Sequence, residues 1–107
     1  MTTFQDRERG EEQRLKHSEE LRFKVRNRRN RLFGQWVAET HLGLKGDEAA
    51  AYAKDVVMAD FDSPGDDDML GKVKADLAKA KIEVSDHILH KHLGECEQAA
   101  RAQVMAE

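Results

Sequence analysis

His87, His90, His92 and Cys96 lie close together near the C-terminal end of the chain. His92 and Cys96 are four residues apart, so on a helix both could reach one zinc ion. A structural zinc needs four protein ligands and a catalytic one about three plus water, and no partner cysteine or second ligand pair completes the set. The same two residues share phase with an apolar stripe, so partial burial accounts for them. Asp60-Phe61-Asp62-Ser63-Pro64-Gly65-Asp66-Asp67-Asp68 resembles the start of a calcium loop, with acids at loop positions 1, 3 and 9 and glycine at 6. Pro64 at position 5 offers no side-chain oxygen, and Gly71 stands where the bidentate glutamate belongs. A helix end, a turn and an acidic first turn explain that run equally well. Arg22, Lys24, Arg26, Arg28, Arg29 and Arg31 form a basic run with no acid inside it. Nucleic-acid binding is its sharp reading. A helix face turned toward acidic helices is its plain one, with Asp55, Asp60, Asp62, Asp66, Asp67 and Asp68 to supply the acids.

The remaining catalytic patterns fail on spacing. Gly43-Leu44-Lys45-Gly46 lacks the length and the Gly-Lys-Ser/Thr ending of a phosphate loop. Ser18, Ser63 and Ser85 sit in cap or turn contexts, away from any histidine-acid pair. No carboxylate pair lies in an apolar setting, as acid–base work would want. The sequence therefore reads as a non-enzyme, with no cofactor and no metal expected.

The elements that must position these residues are helices. Proline occurs once, valine and isoleucine are sparse, and no stretch alternates with period two. A first helix is expected over Ser18–Leu42, capped by Ser18, with Glu19 and Glu20 in its first turn. Its stripe is Leu21, Val25, Leu32, Trp36 and Thr40, widened by Phe33 and Val37. A second begins after Asp47 and ends at the Asp62-Ser63-Pro64-Gly65 turn. A third begins near Asp66, with Met69, Leu70, Val73, Leu77 and Ala80 as its apolar positions. A fourth begins at the Ser85 cap, with Val84 and Leu89 placed for a hydrophobic staple. Four amphipathic segments with short loops predict an all-α, small four-helix bundle over residues 18–107. Trp36, Phe33 and Phe61 are expected inside it.

At 107 residues the chain has the length of one domain. Apolar residues make up 39% and charged residues 36%, so the core is modest. A single cysteine excludes an internal disulfide and fits a reducing compartment. The N-terminus carries no secretory apolar run, and no stretch approaches the ~18 apolar residues of a membrane span. A cytoplasmic protein without membrane insertion is expected. Charge is unevenly placed. Residues 1–31 hold ten Lys/Arg against six Asp/Glu, and the remainder holds eight against fifteen, for a net −3. Such a split suits an interaction segment on an acidic body.

Residues 1–17 are expected to be that segment and to be mobile. They hold two large apolar side chains, Phe4 and Leu15, among eight charged residues, too few to fold alone. Arg7–Glu11, Glu12–Lys16 and Glu20–Lys24 are opposite charges at i,i+4, each worth ~0.2–0.5 kcal/mol in an isolated helix. Gly10 subtracts ~1 kcal/mol. The sum predicts a nascent helix that forms against a partner, with Phe4 and Leu15, three turns apart, on one face. A frayed, inert terminus is the alternative.

The residues also carry a family likeness. Phe4, Arg7 and Glu8 stand near the start, followed by Glu20, Phe23 and Lys24. Then comes the block Arg28-Arg29-Asn30-Arg31-Leu32-Phe33-Gly34-Gln35-Trp36. Tyr52, Val56, Asp60-Phe61, Gly65-Asp66, Lys72 and Asp76 follow. In this pattern the sequence resembles the zeta subunit, the inhibitor of the alphaproteobacterial F-type ATP synthase, over nearly the whole chain. The resemblance implies a four-helix bundle, in agreement with the helices read above, and a regulatory role in which ATP hydrolysis by the F1 part is inhibited. It implies that residues 1–19 become helical at the catalytic alpha/beta interface and block rotation of the central stalk, the gamma subunit. Phe4, Arg7, Glu8, Glu12 and Leu15 would make the contacts, and Phe23, Arg28, Arg29 and Trp36 would continue them or hold the bundle. It further implies a chain that is monomeric when free and located with F1 at the inner face of the plasma membrane. A nucleic-acid-associated helical protein using the 22–31 run stands as the alternative.

Overall fold

Leucine, alanine, arginine, glutamate and lysine make up nearly half of the chain and favour helix over strand. A computed structural model describes the backbone of residues 4–62 and 65–107 and the side chains of residues 18–61 and 65–107. Helix α1 runs Phe4–Trp36, α2 Gly46–Asp62, α3 Asp66–Lys79 and α4 Asp86–Ala106, with no strand among the described residues. The expected four-helix, all-α architecture is therefore present. Helix α1 packs against both α2 and α4, and α2 packs against α3.

The first helix differs from expectation at both ends. Its backbone is helical from Phe4, so Ser18 lies inside the helix and is not its cap. At the other end the helix passes into a π-helical turn at Val37–His41. The Leu42 amide donates to the Val37 carbonyl at 3.1 Å, and the Leu44 amide donates to the Ala38 carbonyl at 2.9 Å. Such wide turns are rare. Here the extra residue keeps Val37 and Ala38 fully buried while turning His41 back toward Trp36.

The core is built where the apolar stripes meet. Phe33, Val37, Val56, Met69, Val73 and Leu89 are completely buried, and Leu70, Leu77, Leu93 and Cys96 close the cluster. Trp36 packs against that cluster but is only partly buried. Phe61 is a correction: it was expected inside and is exposed. It directly follows Asp60, which is turned inward to meet Arg26 and Asn30, so the next side chain points away.

Gly34 explains how closely α1 and α2 approach. A β-carbon built there would come 2.8 Å from the Ala53 Cα and 3.1 Å from Val56. The loops follow the sequence more closely. The Ser85 hydroxyl accepts from the Ile88 amide at 3.2 Å, the expected cap of α4. At the end of α3, the Ile82 amide donates to the Leu77 carbonyl at 2.9 Å while Lys81 adopts φ +58°. This is a Schellman-type stop with lysine in the place glycine usually takes.

Candidate functional site

The basic run on α1 is divided between an inward and an outward face. Arg26 grips Asp60 with both arms of its guanidinium, at 2.6 and 2.7 Å. Asn30, fully buried, donates its amide to the same carboxylate at 2.8 Å. Arg29 donates to the Asn30 side-chain oxygen Oδ1 at 3.0 Å and to Asp66 at 2.7 Å. Five side chains from three helices thus form one continuous polar network. It clamps α1 to the corner where α2 gives way to α3. The hydrogen bond from Arg26 holds the Asp60 carboxyl below the usual carboxylate range, against the opposing effect of burial. The same bond raises the already high Arg26.

This network accounts for residues whose chemistry was open. Asp60 is committed to Arg26 and Asn30, and Asp66 to Arg29, so two acids of the calcium-like run serve as helix anchors. Arg28 reaches the last helix instead, donating to Gln103 at 3.0 Å and pairing with Glu107. That pairing lowers the Glu107 carboxyl. Arg22, Lys24 and Arg31 make no ion pair among the described residues. A cleft of about 610 Å³ between α1 and α4 carries Arg22, Arg26, Arg29 and Arg101 against one acid, Glu97. Its chemistry suits acidic groups.

At the opposite end of the seam, His92 lies flat on the Trp36 indole, with centroids 3.8 Å apart and planes inclined by 13°. His41 meets the same indole edge-on at 4.8 Å. The His41 Nε2 is buried with no hydrogen-bond partner among the described residues. Burial lowers His92, while Glu95, 3.3 Å from its Nδ1, acts in the opposite direction. One turn on, Cys96 is in the core, and burial pushes its thiol up to about 11. His92 and Cys96 are thus packed as stacking and core residues, and among the described residues no three His, Cys, Asp or Glu converge on a common point.

A second anchor ties α2 to α3. The Tyr52 hydroxyl donates to Asp76 at 3.0 Å, and Lys72 bonds the same acid at 2.9 Å. Burial together with Asp76 raises the phenol.

Of the residues expected to touch a partner, Phe23 is exposed on α1, Arg28 is engaged with α4, and Arg29 is nearly buried in the clamp. Phe4, Arg7, Glu8, Glu12 and Leu15 fall on the α1 backbone, and their side chains lie outside the described residues. The Asn30 hub, the Trp36 stack and the π-helical turn were missed in the sequence. The first had a signal: an asparagine at a core-facing position, four residues after an arginine. No helix among the described residues is long and apolar enough to cross a membrane.

No curated protein and no solved structure is significantly similar to this chain. The family model for ATPase inhibitor subunit zeta, by contrast, matches residues 1–103, which takes in α1, α2, α3, all but the end of α4, and the polar clamp between them. The chain belongs to the ATPase inhibitor subunit zeta family.

Proposed function

We propose that this protein restrains the F1 part of the F-type ATP synthase by inserting its N-terminal segment at the catalytic alpha/beta interface, where it opposes rotation of the gamma subunit. Family membership gives the coarser statement, an inhibitory regulatory subunit that binds F1. The finer reading rests chiefly on the course of α1, whose backbone is helical from Phe4 to Trp36 without a break. At ~1.5 Å per residue the part ahead of Ser18 makes a rod about 20 Å long. In its sequence opposite charges stand four residues apart, and it offers few apolar groups for self-burial.

A helix of this length and polarity is only marginally stable in water without a partner to cover it. Ordering it against F1 costs ~2–5 kcal/mol of the gross interaction energy. Phe4 and Leu15 supply the apolar contacts that offset the cost, and Arg7, Glu8 and Glu12 supply register. Phe23 and Arg28 continue the contact, and Arg29 holds the bundle. The free protein is a monomer of the cytoplasm that joins F1 at the inner face of the plasma membrane.

Adding the purified chain to F1 and following ATP hydrolysis tests this directly. Inhibition should rise with concentration and saturate. Gly10→Ala should strengthen it severalfold if helix formation limits binding. Unchanged or weaker inhibition by that variant contradicts the coupling between folding and binding.

A further inference from the structure

Phe23 on α1 and Phe61 on α2 are 53% and 61% exposed, and their rings meet edge-on with centroids 6.3 Å apart and planes at 74°. Met58, one turn before Phe61, is 45% exposed. Three large apolar side chains thus share one seam of the surface. Among the described residues, the other exposed large hydrophobic side chains, Ile88 and Met105, lie on α4.

The ledge is built on rigid ground. Arg26 follows Phe23 by less than a turn and is bound bidentately to Asp60, the neighbour of Phe61. One charged clamp therefore fixes the backbone beneath both rings, and an exposed aromatic pair fixed in advance suits recognition. Its basic side is equally well defined. A groove of about 350 Å³ beside Phe23 is lined by Lys24, Asn27, Arg28, Arg31 and Val57, and its one acid, Glu107, is already paired with Arg28. The surface is an aromatic step edged by three basic side chains, Lys24, Arg28 and Arg31, against one acid among the described residues of the groove.

We propose that the Phe23–Phe61 ledge, with Met58 beside it, is a second docking surface for the ATPase head and takes an amphipathic helix whose apolar face is bordered by acidic side chains. The proposal rests on the inhibitor reading above. Two observations choose this occupant: the positive border of the groove, and the continuity of α1 with the segment assigned to the head. Phe23 lies about 28 Å along the same helix from Phe4. At ~100° per residue, position 23 of a helix also falls roughly a quarter turn from positions 4 and 15. The ledge therefore meets a different part of the head from the inserted segment, and the two contacts reinforce each other through one rod.

The test uses the full chain with Phe61→Ser, Met58→Ser and, as a control, Ile88→Ser at the far end of α4. Binding to purified F1 and inhibition of its ATPase are measured at low and high salt. Phe61→Ser should weaken binding about tenfold, chiefly through faster dissociation, while inhibition at saturation stays complete. Ile88→Ser should match wild type. If wild type inhibits and Phe61→Ser binds equally well, the ledge is overturned and the inhibitor reading stands. If wild type binds F1 without inhibiting and Phe61→Ser loses that binding, the ledge stands and the inhibitor reading fails. If neither binds, both fall. A wild-type dimer in sedimentation that Phe61→Ser dissolves makes a second copy the occupant and overturns the proposal.

Discussion

The Asp60 carboxylate is the residue on which most polar contacts converge, and its loss has a defined cost. Asp60→Ala leaves buried Asn30 without its acceptor and Arg26 without its partner. Removing one member of such a buried arrangement costs about 3 kcal/mol, read as a lower midpoint in urea. Its acid dependence follows from the same bond. The folded-state pKa of Asp60 lies below its unfolded value. The stability it contributes is therefore present above about pH 4 and is lost as pH falls through the folded value. His92 acts in a higher window. Burial holds its folded pKa below the usual ~6.5, so in that range the unfolded chain takes up a proton that the folded chain refuses. Stability should fall as pH drops below about 6.5, and His92→Gln should flatten that part of the profile. Trp36 is the sole tryptophan, so its fluorescence reports the stack without interference. A profile identical in the two proteins contradicts the assignment.

At the scale of elements, two backbone positions carry opposite expectations. Gly34→Ala drives a methyl into the Ala53 backbone and must push α1 and α2 apart, costing about 1–3 kcal/mol. Lys81→Gly relieves a left-handed residue at the end of α3 and should stabilise the protein by about 1 kcal/mol, a rise of several degrees in Tm. A destabilised Lys81→Gly protein contradicts the Schellman-type reading of that corner. These elements also show what periodicity can and cannot reveal. The buried positions of α3 from Met69 to Leu77 and the Ser85 cap were legible because each depends on residues close in the chain, whereas the expected turn at Ser63 and Pro64 lies outside the described residues. The π-helical turn was not, because Val37 and Ala38 fit an ordinary α-helix equally well, and only packing selects the wider turn. Phe61 was misplaced for a similar reason. Its phase matched the α2 stripe, but Asp60 beside it had a buried partner thirty-four residues away at Arg26. The candidate site was legible in part: the basic run and its acidic counterparts were visible, whereas their pairing required the fold.

At the scale of the whole molecule, the four helices divide the work. Helices α2, α3 and α4 bury the apolar stripes and hold α1 through the Asp60 clamp, the Trp36 stack and the Arg28–Glu107 pair. Helix α1 belongs to the bundle through its C-terminal half and carries the proposed inhibitory segment on its N-terminal half. The most direct measurement compares ATP hydrolysis by F1 in the presence of the full chain and of a chain lacking residues 1–17. The full chain should inhibit, and the shortened one should not, while its helical circular dichroism and cooperative unfolding persist. Equal inhibition by a folded, shortened chain contradicts the account and places the inhibitory element within the bundle.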